Sequence, residues 1–234
     1  MKQPRGRFII FDGVDGSGKG SLIAVTSKAL TLAGINHELT KQPGGTKLGN
    51  EIRKILFETV GTKHINPDAL ELLFMANHVH NCGWIEDRLS EGSWVIADRH
   101  WPSAIAYMEA RGARKRMQEI YLEFQGLPWD VFFLLHGDPA KLLARAQART
   151  TETHQDAKKW NTVENMEKTQ AKFLADFGTD SHTVTVPTGN GFSAFQEWAL
   201  YIGPVLTHLF DVKFDLARLK RELETPLEGM RTDQ

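Results

Sequence analysis

The sequence predicts an α/β fold in which a five-stranded parallel sheet is flanked by helices. Strand-like runs alternate with segments of helix length along the chain, which is the order expected when parallel strands are joined by helices. Several of these runs are apolar without a break, as strands buried on both faces are. The predicted strands are residues 8–11, 37–40, 94–97, 131–135 and 183–186.

The segments between and after these strands have the length and apolar spacing of helices. The tail, residues 212–234, has apolar residues at helical spacing and then turns polar, which predicts a short amphipathic helix and a frayed end. At 234 residues, the chain fits one large domain over residues 1–234 better than two small ones. The other predicted helices are residues 22–32, 48–57 and 67–89.

The composition limits the kinds of partner that the protein can have. Hydrophobic residues make up 41% of the chain and charged residues 24%, as in a folded globular protein. The formal net charge of -1 gives no overall positive field that would attract nucleic acid or an anionic membrane. A single cysteine, Cys82, cannot form an internal disulfide, and no apolar run approaches the length of a membrane span. We therefore expect a cytoplasmic protein that binds small molecules, with no nucleic acid and no membrane among its partners.

Residues 13–19 spell G-V-D-G-S-G-K between a predicted strand and a predicted helix. In this pattern the glycines let several backbone N–H groups converge on one phosphate, and the following helix presents its positive end to the same anion. Lys19 can then reach the outer phosphates. The loop predicts the three-layer P-loop NTPase fold and binding of a nucleoside triphosphate such as ATP. The candidate residues for this site are Gly13, Asp15, Gly16, Ser17, Gly18, Lys19, Gly20 and Ser21.

The loop departs from its pattern at Gly20. A serine or threonine normally follows the lysine, and its hydroxyl binds Mg²⁺. Here the hydroxyl comes one residue later, at Ser21, which points about 100° away on a helix. We hypothesise that a water fills the space beside Gly20 and binds Mg²⁺, since this ion usually keeps several waters.

Three stretches together resemble the thymidylate kinase family. The first is the loop with Asp15 inside it, and the second is Q-P-G-G-T at residues 42–46. The third runs from E-L-L-F at residues 71–74 through D-R-H at residues 98–100 to Ala106-Tyr107. The resemblance implies a mobile lid, here at about residues 149–161, a possible homodimer, and transfer of a phosphoryl group from ATP to thymidine monophosphate (dTMP) with Mg²⁺.

The resemblance also implies roles for single residues. Asp15 would contact the sugar hydroxyl of the acceptor, Arg53 its phosphate, and Phe74 would stack on its base. Asp98 would lie near the metal and Arg99 on the transferring phosphates. From the residues alone, Asp15 could instead cap the first helix, Arg53 could be a solvated residue, and Phe74 could belong to the core. The implied acceptor-binding residues are Asp15, Gln42, Pro43, Arg53, Phe74, His78, Arg99, Ser103 and Tyr107, and the implied catalytic residues are Lys19, Arg99, Asp15 and Arg149.

Several positions depart from the family pattern. Gln42 and Asn77 stand where an acid is usual, and His78 stands where an arginine reads the base. A neutral imidazole is shorter than arginine and offers at most one donor, so the base preference is open. Because Gly16 replaces a loop arginine, the lid is expected to supply a cation, first Arg149 and then Lys158.

The predicted chemistry needs no general base, because the second pKa of a phosphate monoester is about 6 and the acceptor is mostly a dianion near pH 7. Three alternatives stay open. The first is a kinase of a different deoxynucleoside monophosphate, and the second is a deoxynucleoside kinase, whose hydroxyl acceptor would need a carboxylate base. The third is a nucleotide-binding family member that has lost catalysis, for which Gly20, Gln42 and His78 are the reasons.

Overall fold

The computed structural model describes residues 4–59, 65–108, 115–124, 126–149 and 162–225. Its sheet has five parallel strands in the order β2-β3-β1-β4-β5, and helices cover it. The predicted fold class is therefore confirmed. The strands are β1 Phe8–Gly13, β2 His37–Lys41, β3 Trp94–Asp98, β4 Val131–His136 and β5 Thr183–Pro187.

The helices connect the strands in the predicted alternation. Two of the helical segments are π-helical turns, at Ile55–Thr59 and Trp198–Ile202. No helix of the described ranges is long and apolar enough to span a membrane. The α-helices are α1 Lys19–Leu32, α2 Lys47–Lys54, α3 Pro67–Ser90, α4 Trp101–Met108, α5 Lys115–Glu123, α6 Pro139–Arg149, α7 Val163–Phe177, α8 Ala194–Glu197, α9 Gly203–Phe210 and α10 Leu216–Glu224.

The core lies in two layers, one on each face of the sheet. Because side chains alternate along a strand, β1 sends Phe8 and Ile10 to the layer that packs on α3, α4 and α7. Ile9 and Phe11 enter the layer that packs on α1 and the C-terminal helices. All four side chains are fully buried, which explains the unbroken apolar run of this strand.

The helix boundaries differ from the predictions at two places. The first helix begins at Lys19 and not at residue 22, because the glycine-rich loop turns directly into it at Gly18. The second ends as an α-helix at Lys54 and continues as the wider π-helical turn. The predicted amphipathic tail helix is present as α10, whereas the predicted frayed end, residues 226–234, lies outside the described residues.

One fully buried indole contributes to the packing of the C-terminal layer on α1. Trp198 is fully buried, donates from Nε1 to Thr26 Oγ1 at 3.0 Å, and meets the ring of Phe214 edge-on at 5.1 Å between centroids. Because α1 begins directly after the glycine-rich loop, this packing helps to fix the position of the loop.

We predict that Trp198→Ala lowers the free energy of unfolding by about 3–5 kcal/mol, because it removes a large buried side chain. Trp198→Phe should cost less, since it keeps most of the apolar burial and loses one hydrogen bond. Leu200, which is 55% exposed, provides the control Leu200→Ala. Urea denaturation measures all three variants, and equal stability of Trp198→Ala and Leu200→Ala would contradict the prediction.

Candidate active site

The loop of residues 13–19 needs glycine where it packs against neighbouring backbone. A β-carbon at Gly13 would lie 2.3 Å from the carbonyl oxygen of Leu135, and one at Gly16 would lie 2.0 Å from that of Leu142. Both glycines also have positive φ, +139° and +78°, which side chains disfavour. The loop therefore lies directly on β4 and α6.

Lys19 is buried at the start of α1. Its Nζ donates to the carbonyl oxygens of Gly13 at 2.9 Å and Val14 at 3.1 Å. Burial, together with the positive charge of Arg99, lowers the pKa of Lys19 to about 8. No acidic residue lies in the first turn of α1, so the positive end of the helix dipole has no carboxylate of its own in that turn.

Arg99 connects the loop to the end of β3. Its guanidinium donates to Asp12 at 3.0 Å, to the carbonyl oxygen of Gly13 at 2.9 Å and to Ser103 Oγ at 2.9 Å. It also forms an ion pair with Asp15. The backbone of Arg99 has φ +72°, an uncommon conformation for a residue with a side chain, and such conformations cluster at functional sites.

The surroundings keep Arg99 charged. Burial acts to lower its pKa, but the carboxylates of Asp15, Asp12 and Asp98 act to raise it, and the net pKa lies well above its ordinary value. The guanidinium carbon of Arg99 lies 5.3 Å from the ring centroid of Tyr107. Burial raises the pKa of the Tyr107 hydroxyl well above its usual range, so this group stays neutral. The predicted residues Asp15, Arg99 and Tyr107 are therefore brought together.

Asp12, which sequence analysis did not select, is fully buried beside them. Its Oδ1 accepts from Ser103 Oγ at 2.7 Å and from the N–H of Gly13 at 2.8 Å. Burial raises the pKa of Asp12, and the charges of Arg99 and Lys19 offset part of this rise. Its position directly after an apolar strand, one residue before the loop, was the available signal.

A cleft of about 280 Å³ opens at the carboxyl edge of the sheet, where α/β folds bind their ligands. Four cations and two carboxylates line it, so the excess charge is positive and suits phosphate groups. Its lining residues are Asp15, Gly16, Gly18, Lys19, Gly20, Lys41, Gln42, Arg53, Asp98 and Arg99. The cleft adds Lys41 to the cations that the sequence indicated.

The residues at one side of the cleft fit a magnesium ion. Asp98 Oδ1 is buried and has no hydrogen-bond partner in the described part of the chain. A β-carbon at Gly20 would meet nothing within 4 Å, which leaves room for a water or a hydroxyl. Carboxylate oxygens and waters are the ligands that Mg²⁺ prefers. Ser21, the next residue, is half-buried.

The predicted acceptor side is formed by α2, the turn after it, and α3. Arg53 Nη1 donates to the carbonyl oxygen of Pro43 at 2.9 Å, and its guanidinium carbon lies 5.3 Å from the ring centroid of Phe57. The rings of Phe57 and Phe74 meet edge-on at 6.4 Å between centroids. Phe74 is half-buried and lies beside the cluster of Ile52 and its apolar neighbours, so both its core and its stacking roles fit its position.

His78 does not line the cleft, because it is fully buried within α3. Its Nε2 lies 2.7 Å from the carbonyl oxygen of Phe124, and its Nδ1 lies 3.2 Å from Gln42 Oε1. Gln42 Nε2 in turn lies 3.2 Å from both Asn81 Oδ1 and His100 Nδ1. The two unusual residues Gln42 and His78 are therefore partners in one buried polar network.

Asn77 and Asn81 hold the chain that follows β2. Asn77 accepts from the N–H of Gly44 at 2.8 Å and donates to its carbonyl oxygen at 3.2 Å. Asn81 Nδ2 donates to Thr40 Oγ1 at 2.8 Å. Neutral amides thus fix the turn that carries Gln42 into the cleft.

Of two further predictions, the structure contradicts the one that Asp15 caps α1, and it does not test the one for the lid cation. Asp15 does not cap α1, whose N-cap residue is Gly18 with no side-chain hydrogen bond, because Asp15 lies earlier in the loop and reaches Arg99. Arg149 is the last residue of α6, and its side chain lies outside the described residues. Lys158 and the rest of the predicted lid, from residue 150 to 161, also lie outside them.

The match to a family model described as thymidylate kinase covers residues 11–198. The chain belongs to the thymidylate kinase family. A thymidylate kinase of Alteromonas mediterranea is 32% identical over 185 residues, which are 78% of this chain and 82% of the relative. One of Carboxydothermus hydrogenoformans is 36% identical over 149 residues, 62% of this chain and 72% of the relative.

Solved structures of the thymidylate kinase family share the fold. A crystal structure of thymidylate kinase from Ehrlichia chaffeensis matches 88% of this chain and 99% of its own, with a TM-score of 0.63 and 21% sequence identity. At this identity the match establishes the fold alone.

We predict that the protein takes up a proton on Lys19 when a nucleotide binds above pH 8. The lowered pKa of Lys19, about 8, means that the amine is mostly neutral near pH 9, and a bound phosphate would favour its charged form. Calorimetry of ADP binding in two buffers with different ionisation enthalpies should detect uptake near pH 9 and much less near pH 6.5. Lys19→Arg, which stays charged at both values, is the control, and uptake by that variant at pH 9 would refute the assignment.

Proposed function

We propose that this protein transfers the γ-phosphoryl group of ATP to dTMP and gives ADP and dTDP, with Mg²⁺ as its cofactor. The observation that carries the proposal is the positively charged cleft, which joins the glycine-rich loop to Asp98 and Arg99 at one edge of the sheet. Membership of the thymidylate kinase family, with relatives such as that of Alteromonas mediterranea, supports dTMP as the acceptor.

The donor would lie on the loop of residues 13–19. Its phosphate oxygens would replace the carbonyl oxygens of Gly13 and Val14 as acceptors for Lys19, and a charged acceptor is the stronger partner. The amides at the start of α1 would point at the same phosphates. The donor would therefore be held by groups that already occupy the required positions.

Arg99 would bind the phosphoryl group in transfer. In the nucleotide-free cleft its guanidinium is held by Asp12, Asp15 and Ser103, and a phosphate oxygen would replace one of these acceptors. Of the two carboxylate partners, Asp15 is more exposed than Asp12, so the ion pair between Asp15 and Arg99 is the easier one to exchange. Asp15 could then accept a hydrogen bond from the sugar hydroxyl of dTMP.

The acceptor itself supplies the nucleophile. Its phosphate is mostly a dianion near pH 7, because its second pKa is about 6, and no side chain has to remove a proton. The difficulty is the repulsion between two anions, which Lys19, Arg53 and Arg99 would offset while they hold the reacting atoms in line. Asp98, with a water beside Gly20, would hold Mg²⁺, whose charge offsets that of the donor phosphates.

The lid cation is proposed to be Arg149, with Lys158 as the second choice. Closure of residues 150–161 would exclude water and limit ATP hydrolysis. A single domain over residues 1–234, a cytoplasmic location and a homodimer stay predictions.

The direct test measures ADP release with ATP, Mg²⁺ and a panel of acceptors. We expect dTMP to be phosphorylated, and Lys19→Ala and Arg99→Ala each to lower kcat/KM by about 10²–10³-fold, because each removes a charge from the transition state. Both should keep the wild-type circular dichroism spectrum. Arg116→Ala, an exposed arginine on α5, is the control. Near-normal turnover in both Lys19→Ala and Arg99→Ala would rule the assignment out.

A kinase of a different deoxynucleoside monophosphate is the second candidate. The observation that favours it is the burial of His78 inside the Gln42 network, which leaves the position of the base-reading arginine without a donor in the cleft. The same panel, with dUMP, dCMP, dGMP and dAMP beside dTMP, separates the two candidates. Turnover of thymidine alone would indicate a deoxynucleoside kinase, and ATP binding without any transfer would indicate lost catalysis.

Gly20 gives a separate prediction about the metal. Gly20→Ser should tighten binding of the Mg²⁺–ADP complex by about three- to tenfold, because a hydroxyl in the open space would replace a water ligand at a gain of about 1 kcal/mol. Gly20→Ala fills the same space without a hydroxyl and is the matched control. Calorimetry with ADP, with and without Mg²⁺, measures the effect, and equal affinities in the two variants would mean that the glycine has no consequence for the metal.

A further inference from the structure

One cation of the cleft has no protein partner in the described part of the chain. Lys19 donates to two carbonyl oxygens, Arg53 to that of Pro43, and Arg99 to carboxylates, a hydroxyl and a carbonyl. Lys41 also lines the cleft, yet within the described ranges its ammonium neither donates a hydrogen bond nor forms an ion pair. Its charge is therefore available to a ligand without the loss of an existing contact.

The order of the strands places Lys41 on one side of the cleft. Lys41 ends β2 and is the register partner of Asp98, which ends β3. The glycine-rich loop follows β1, on the other side of β3. Lys41 is thus separated by one strand from the loop that would bind the donor, and it lies on the same side as Gln42 and Arg53.

The backbone and the stem of Lys41 are fixed, although the residue is exposed. The N–H of the next residue, Gln42, donates to the carbonyl oxygen of Asp98 at 3.0 Å. A β-carbon at Gly44 would lie 3.1 Å from Lys41 Cε and 3.3 Å from its Cγ, so the aliphatic stem lies along the turn that follows β2. Gly44 is itself held by Asn77. The ammonium therefore projects from a rigid support, which limits the entropy lost when it binds a ligand.

We propose that Lys41 binds the phosphate of the acceptor nucleotide, as a second cation beside Arg53. The inference rests on the proposed function and specifies which side chain holds the acceptor. The ligand is a nucleoside monophosphate in its dianionic form, and the contact is a charge-assisted hydrogen bond from Nζ to a phosphate oxygen.

Two cations suit the acceptor better than one. The reacting phosphate carries about two negative charges at pH 7, and it must approach a donor that is itself strongly negative. Arg53 uses one of its N–H donors on the carbonyl oxygen of Pro43, and Lys41 adds a second positive charge with its own N–H donors. The plainer reading of Lys41, a solvated lysine at the end of an edge strand, predicts that its removal changes no affinity.

The experiment compares Lys41→Ala with Lys47→Ala, a nearby exposed lysine at the start of α2 that does not line the cleft. Calorimetry measures the binding of dTMP, thymidine and ADP to each variant and to the wild type. We expect Lys41→Ala to weaken dTMP binding by about 10- to 100-fold, the effect of one hydrogen bond to a charged group. Thymidine and ADP affinities should stay at the wild-type values, and Lys41→Arg should restore most of the dTMP affinity. In turnover, the KM for dTMP should rise while the KM for ATP does not.

The outcomes separate this inference from the proposed function. If the wild type phosphorylates dTMP and Lys41→Ala binds dTMP with unchanged affinity, Lys41 is a solvated surface residue and only the inference is wrong. The inference is also wrong if thymidine or ADP binding falls as much as dTMP binding, since the effect is then not specific to the acceptor phosphate. If the wild type binds no monophosphate of the panel, the proposed function and the inference both fail.

Discussion

The cleft holds two cations, the buried Lys19 and the partly buried Arg99, which both donate to the carbonyl oxygen of Gly13. Much of the surrounding structure offsets their mutual repulsion. The positive charge of Arg99 contributes to the lowered pKa of Lys19. The fold sets Asp12 and Asp15 against Arg99 and sets two loop carbonyl oxygens against Lys19. Phosphate oxygens would, on the proposed function, take the places of the exchangeable acceptors, such as Asp15, whereas the fully buried Asp12 would stay in contact with Arg99. On the proposed function, the cations are therefore positioned before a nucleotide binds, and binding exchanges their partners with little movement of the cations themselves.

The strand order arranges these charges along a line. Lys41 ends β2, Arg99 directly follows β3, and the ammonium of Lys19 lies on the carbonyl oxygen of Gly13 at the end of β1. These strands are neighbours in that order. Adjacent strands are about 4.8 Å apart, so the ends of the outer two are separated by about 10 Å. In-line transfer requires the attacking and leaving oxygens on opposite sides of the moving phosphoryl group. On the proposed function, this row has an acceptor cation at one end, a donor cation at the other and an arginine between them, which matches that requirement. The row forms because parallel strands bring their carboxyl ends to one edge.

The sequence predicts the parts of this arrangement that depend on local patterns. The strands follow from apolar runs, and the glycine-rich loop follows from spacing, because both are written in consecutive residues. The partners of the side chains could not be predicted in this way, since Arg99 and Asp12 are 87 residues apart and meet only across the sheet. Asp15 illustrates the limit, because an aspartate just before a helix has the pattern of a cap and here pairs with an arginine. Lys41 has the pattern of a solvated residue, and only the register of β2 against β3 places it in the cleft.

Three of the departures from the family pattern, Gln42, Asn77 and His78, lie in one hydrogen-bonded group that Asn81 and Gly44 connect. A buried carboxylate whose arginine partner is lost costs several kcal/mol, so an isolated change from arginine to His78 would destabilise any acid left beside it. Gln42 and Asn77 avoid that cost, because amides need no counterion and keep the hydrogen bonds: Gln42 with His78 and Asn77 with both polar groups of Gly44. Side-chain amides hold the turn after β2, and among the described residues four cations, Lys19, Lys41, Arg53 and Arg99, line the cleft. Loss of catalysis would remove the need for such compensation and for the phosphate-facing cations as well. The presence of these cations therefore favours a family member that transfers phosphoryl groups over one that has lost catalysis, whichever base its acceptor carries.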